Sequence, residues 1–284
     1  MGKRGDLLPA PEEENDKENE LVKKLKELAE DGELSPEKIF DLAEKNNTTD
    51  KYYERGRTFI SIDRDKAFEY FQAAYELYSE TGNSKGQANA LHWLGVTYRA
   101  ESEWDKSIEY EQRAYEIYSK LNHKEGMGET IHNIGYCYYY LEKYKEAIKP
   151  FEKSIKIHKE LGVMYRLKDS LFNLASSYKN LGNYSESIEH FKKCLEMDLE
   201  EGEKDAQARD LLELADCYKG LEEFTSSLKY YQQSYELYKE LDYDFRQSEI
   251  LEKIETILDS LKGKKELSKE LNEEITKAKD LITQ

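Results

Sequence analysis

The chain has 284 residues and a formal net charge of −17, from 43 basic and 60 acidic residues, a balance that disfavours binding along a phosphate backbone. Aromatic residues make up 12%, with 23 tyrosines and only four prolines, too aromatic for a disordered chain and open enough for long helices. No apolar run approaches the roughly 18 residues that span a bilayer.

Read from the N-terminus, Lys3 and Arg4 precede only Leu7-Leu8 before Pro9, short of a secretory h-region, and the expected location is cytoplasmic. Residues 1–17, with Pro9, Pro11 and Glu12-Glu13-Glu14, read as an acidic disordered tail. Residues 18–45 read as N-terminal capping helices. Glu20 to Glu30 is amphipathic, and Ser35-Pro36-Glu37 offers a capping serine with proline in the first turn. Cys137, Cys194 and Cys217 show neither CxxC spacing nor an even count, which argues against a disulfide framework or zinc site and for buried packing roles.

From Gly86 onward the sequence aligns with itself in steps of 40 without gaps. One column holds Leu94, Ile134, Leu174, Leu214 and Ile254. The next holds Gly95, Gly135, Ala175 and Ala215, and a third holds Tyr98, Tyr138, Tyr178 and Tyr218. Trp104, Tyr144, Tyr184 and Phe224 recur likewise, then Ile108, Ile148, Ile188 and Leu228, then Ala114, Ser154, Cys194 and Ser234. Within a block, Leu91, Leu94, Gly95 and Tyr98 lie on one helix face. A second stripe starts at Trp104 after the polar break Glu101-Ser102-Glu103. Each block is therefore a pair of helices of about 18 residues, and the small column marks close approach of the partner helix. Neither helix of a pair has a core of its own, so blocks must stack. The predicted pairs are 46–85, 86–125, 126–165, 166–205, 206–245 and 246–284. The helical array runs over 46–262, and 263–284 forms a C-terminal capping helix. Pro150 falls inside a second helix, where it is expected to bend the outer face.

These columns resemble the tetratricopeptide repeat. The motif LGxxY stands as Leu94-Gly95-Val96-Thr97-Tyr98, and the small/large pattern of the second helix as Ala147, Phe151 and Ser154. The 40-residue period departs from the usual length of about 34 and is similar to that of kinesin light chain, LGN-type adaptors and Rap-type peptide-sensing regulators. The resemblance implies an all-α, right-handed α-α superhelix whose first helices line a concave groove. It also implies a scaffold or adaptor that holds a partner protein or extended peptide there, without cofactor, metal, nucleic acid or membrane. The alternative is a peptide-sensing regulator of the Rap type. Oligomeric state stays open.

Carried onto this sequence, the groove would present Asn89, His92, Trp93 and Arg99, then Glu129, His132, Asn133, Tyr136 and Tyr139. Asp169, Phe172, Asn173, Ser176 and Lys179 follow, then Arg209, Glu213, Asp216 and Lys219. In the 40-residue relatives, asparagines at the level of Asn133 and Asn173 grip ligand backbone amides, which suits a side chain that both donates and accepts. Trp93, Tyr136, Tyr139 and Phe172 are candidate aromatic anchors, or else packing between repeats. Lys179 and Lys219 suit an acidic ligand group, or else a solvated face. His92 and Val96 stand where a chaperone-type carboxylate clamp needs other residues. GxxxxGK[ST], HExxH and GxSxG are all absent from the sequence, so no enzyme is expected.

Overall fold

The computed structural model describes residues 36–264 and 267–283, with side chains from residue 47 onward. The expected tail and the first expected capping helix lie outside the described residues. Among those residues there are helices and turns, and no strand. The elements are α1 (Pro36–Phe59), α2 (Arg64–Glu80), α3 (Ser84–Ala100), α4 (Trp104–Lys120), α5 (Lys124–Tyr140) and α6 (Tyr144–Leu161). They continue as α7 (Met164–Asn180), α8 (Tyr184–Glu201), α9 (Lys204–Gly220), α10 (Phe224–Glu240), α11 (Asp244–Leu261) and α12 (Lys269–Thr283). None of these helices is long and apolar enough to cross a membrane.

The turns explain the metronomic spacing. A residue in the left-handed region recurs every 20 positions: Gly82, Ser102, Asn122, Glu142, Gly162, Gly182, Gly202, Glu222 and Asp242. After each, the next amide reaches back to close the helix end. Glu103 N–H donates to the Tyr98 carbonyl at 3.0 Å, Lys143 N–H to Tyr138 at 2.9 Å, and Glu223 N–H to Tyr218 at 2.9 Å. This is a Schellman-type stop. Glycine enters that conformation freely, whereas an L side chain there costs roughly 1–2 kcal/mol. Glu142→Gly and Glu222→Gly are therefore expected to stabilise the fold by about 1 kcal/mol each. Chemical denaturation of the double variant checks this, and a midpoint unchanged from wild type would contradict it.

The chain divides into two compact units, residues 1–97 and 98–284. In the first, α1 packs on α2. Phe71 fills its centre, so close to Gly56 that a Cβ there would come within 2.7 Å of the ring. Trp93 stacks on Phe71 at 5.7 Å between centroids.

In the second unit every helix from α5 to α10 packs between its chain neighbours. The repeat columns form the core. Ile134, Leu174, Leu214 and Ile254 are all at most 4% exposed, and Gly135 is buried because a Cβ there would lie 2.9 Å from Phe151. Phe151, Phe191 and Tyr231 form a further fully buried column, each worth about 1.5–3 kcal/mol of burial. One position breaks it. Glu111 stands 40 residues before Phe151 and is equally buried.

Pro150 behaves otherwise than expected. It lies in the buried interior rather than on the outer face, and α6 continues through it from Tyr144 to Leu161. The ring has no N–H to give the Glu146 carbonyl, so one helical hydrogen bond is missing there. The three cysteines are free and buried. Burial pushes the Cys137 and Cys217 thiols up to about 11, which keeps them protonated and unreactive.

Candidate functional site

In the second unit the first helices α5, α7, α9 and α11, and the end of α3 from Tyr98 on, are tied to one another by side chains about 40 residues apart. Arg99 on α3 lies 5.1 Å from the ring centre of Tyr136 on α5. Arg166 on α7 pairs with Glu129 on α5 at 3.1 Å, and Asn180 on α7 donates to the Tyr139 hydroxyl at 3.2 Å. Lys179 on α7 pairs with Glu213 on α9, and the guanidinium of Arg209 on α9 lies 4.2 Å from the centre of Phe172 on α7. Finally Lys253 on α11 donates to both oxygens of Asp216 on α9, at 2.9 and 2.8 Å, and the Tyr231 hydroxyl donates to the same carboxylate. A half-exposed ion pair contributes about 0.2–1 kcal/mol and a cation over a ring about 0.5–2 kcal/mol. No single tie dominates; repetition makes the face stiff.

The ties divide the expected site residues. Tyr136, Tyr139, Phe172, Arg99, Lys179, Arg209 and Asp216 are all partly exposed and lie on this one face, but each is engaged with a neighbouring repeat. Asp169 is exposed on α7, and Ser176 on the same helix is 6% exposed. Asn173 and Lys219 are partly exposed, and among the described residues neither side chain has a hydrogen-bond or ion-pair partner. They are the open polar groups of the face.

His132 and Asn133 are placed differently from the expectation. Each is only 7% exposed. The His132 ring shares a hydrogen bond of 2.9 Å with the Ser170 hydroxyl and meets Phe151 edge-on at 5.6 Å. Burial, with Arg166 nearby, pushes its pKa down to about 3, so it is neutral. The Asn133 amide donates to Glu111 at 2.6 Å. The expected pair of asparagine rungs thus keeps one free amide, that of Asn173. The physical cause is Glu111, a carboxylate in an aromatic column that needs a donor beside it.

In the first unit, His92 meets Trp93 edge-on at 5.8 Å, Arg57 lies 5.7 Å from the Trp93 ring, and Asn89 is half-buried. Trp93 therefore serves the packing of that unit.

Sequence reading overlooked Tyr140 and placed Trp104 in a repeat column without assigning it to the face. Tyr140, 48% exposed, stacks on Trp104 at 5.0 Å and lies 4.5 Å from Tyr136. Tyr139 leans on Tyr140 and Tyr144 at 5.5 and 5.3 Å. The run Tyr138-Tyr139-Tyr140 was the available signal, since a helix cannot bury three consecutive side chains on one face. Burial raises the Tyr136 and Tyr139 phenol pKa values, so both stay neutral hydroxyls. The face thus combines an aromatic surface, a free amide and a free ammonium. Such groups can hold a chain through hydrogen bonds and ring contacts.

A tetratricopeptide repeat model matches residues 51–120, 86–160 and 168–240. No curated protein matches the chain in sequence. Solved structures do match in fold. The kinesin light chain repeats of Podosopora anserina align with TM-score 0.58 at 16% identity, covering 68% of this chain and 95% of theirs. The apo form of RapI aligns with TM-score 0.66 at 17% identity, covering 83% of both chains. Aspartyl phosphate phosphatase F of Bacillus subtilis aligns with TM-score 0.56 at 16% identity, covering 78% of this chain and 63% of that one. With matches across most of its length and helix pairs of that kind throughout the second unit, the chain belongs to the tetratricopeptide repeat family.

Proposed function

We propose that the protein is a cytoplasmic adaptor that holds an extended segment of a partner protein against the first-helix face of residues 98–284. The observation that carries this reading is the inter-tied face, which leaves Asn173 and Lys219 open and also presents the aromatic group of Tyr136, Tyr139 and Tyr140. A backbone of any sequence supplies both partners that a primary amide needs. Aromatic rings give anchoring area at small entropic cost, and Lys219 provides a site for an acidic group of the segment.

Replacing Asn173 and Lys219 together by alanine is expected to lower partner capture about 10-fold or more. Both side chains lack internal partners, so the thermal melt should stay where it is. Quantitative mass spectrometry of affinity captures from native lysate gives the readout. Equal capture by variant and wild type would remove the face from consideration.

A further inference from the structure

The last helix is seated differently from the second helices before it. Gly135 takes the Phe151 ring of the following helix so close that a Cβ would lie 2.9 Å from it. In α11 the same column holds Glu255, which is exposed. A following helix has no small residue to close upon there, and α12 leans on α10 more than on α11. It runs in the direction of α10. Lys229 donates to Glu270 at 2.5 Å, and the Gln232 amide donates to the Glu274 carbonyl at 3.4 Å.

The seat fits poorly. Glu274 is only 3% exposed. One of its carboxyl oxygens accepts from Lys277 at 2.8 Å, and the other has no partner, which costs stability in any buried place. In the apolar stripe of Leu271, Ile275, Ala278 and Leu281, only Ala278 is fully buried. Between the last two turns of α12 and α10 a groove of about 590 Å³ stays open. Leu211 of α9, Leu237 of α10 and Leu281 of α12 give it apolar walls, and Gln232, Gln233 and Glu236 a polar side. Apolar walls with nothing between them forgo the contacts that a filled groove would make.

We propose that the α10 surface under α12 is a docking site for an amphipathic helix of a partner protein, and that α12 covers it as a displaceable stand-in. The stand-in defines the chemistry of the occupant. A helix already sits there, held by a carboxylate at Lys229. A partner helix that keeps this carboxylate, puts an apolar residue where α12 has Glu274, and brings an aromatic ring where α12 has Leu281 would fill the site better. A basic residue suits Glu236, two helical turns beyond Lys229 on α10. This is the helix-in-groove mode of recognition, with an aromatic anchor. Because the chain tethers α12 at high effective concentration, only a better-fitting helix displaces it. The site lies on a second helix and does not depend on Asn173 and Lys219.

The test uses the full chain and a fluorescein-labelled peptide of residues 267–283 carrying Glu274→Leu and Leu281→Trp, read by fluorescence anisotropy. Saturable binding to wild type is expected, about 10-fold weaker when serines replace Leu271 and Ile275 of the peptide. Glu274→Leu in the full chain improves the stand-in and should weaken peptide binding about 10-fold. Glu270→Lys loosens the stand-in at an exposed ion pair and should tighten peptide binding about 3-fold. Hydrogen exchange reports the displacement, and bound peptide should speed exchange of the α12 amides about 10-fold or more. Absence of binding, equal affinity for wild type and both variants, or binding that leaves α12 exchange unchanged overturns the inference. So does a concentration-dependent dimer in size-exclusion chromatography that Glu270→Lys abolishes, since it assigns the seat to α12 of a second copy. Asn173→Ala with Lys219→Ala should leave peptide binding unchanged. Loss of binding in that variant would move the peptide to the first-helix face, overturning this inference while leaving the proposed function standing.

Discussion

Asp210→Asn is expected to stabilise the protein, by little at pH 4 and by roughly 3 kcal/mol at pH 8. Asp210 on α9 is completely buried and neither of its oxygens accepts a hydrogen bond. Its nearest cation, Arg209, stands 3.6 Å away and is shared with the ring of Phe172. Asp198 on α8 is also buried, paired with Lys168 and left with one unsatisfied oxygen. Burial pushes the Asp210 carboxyl up to about 8; the Arg209 charge opposes this and the neighbouring Asp198 adds to it. In the unfolded chain the same carboxyl titrates near ~3.9. A folded-state value above the unfolded one means stability is full below about pH 4 and drains as pH rises toward 8. Each separation of one pH unit is about 1.4 kcal/mol, so half of the interval already reaches about 3 kcal/mol.

Asparagine has the same shape, does not ionise, and can donate to the unsatisfied oxygen of Asp198. Denaturation midpoints of wild type and variant should therefore diverge steadily from pH 4 to 8. Because repeat arrays unfold locally, hydrogen exchange across α8 and α9 is the sharper reading. Parallel curves at every pH would show that the buried carboxyl does not carry the response. His132 works in the opposite direction. Its folded value of about 3 lies below the unfolded ~6.5, so its contribution is intact above that pH and is lost on acidification. The joint around α5, α6 and α7 is weakened by acid, and the joint around α8 and α9 by base.

The helix pairs were legible because their determinants repeat. A glycine or alanine beside an aromatic, returning every 40 residues, survives as a pattern even where individual helices are unremarkable in propensity. The turns were legible only in part. Gly82, Gly162, Gly182 and Gly202 announce themselves, but Ser102, Glu142 and Glu222 adopt the same left-handed geometry against their preference, forced by the stacked helices on either side. The site was less legible still. Spacing put His132 and Asn133 on the correct helix and turn, but helix angle does not tell a side chain facing solvent from one closed in by the next repeat. What closed them in was Ser170 and Phe151 for the histidine and Glu111 for the asparagine. The break at Glu111 in the Phe71, Phe151, Phe191, Tyr231 column was visible in the sequence, and it pointed to a nearby donor.

The Glu111–Asn133 bond makes the second strong prediction. Asn133→Leu withdraws a donor from a carboxylate that has no contact with water, and the expected loss is about 2–4 kcal/mol. Glu111→Phe restores the residue that the other repeats use, and the neutral amide it leaves behind costs only about 1–2 kcal/mol. The double change, Glu111→Phe with Asn133→Leu, removes donor and acceptor together and fills the column with apolar volume. It should return to wild-type stability or exceed it. A double-mutant cycle by urea denaturation then gives a coupling of at least about 1.5 kcal/mol between the two positions. That outcome defines Asn133 as a structural donor. If Asn133→Leu instead leaves the midpoint unchanged and lowers partner capture, the amide faces a ligand after all, and the burial of Glu111 has to be satisfied by other groups.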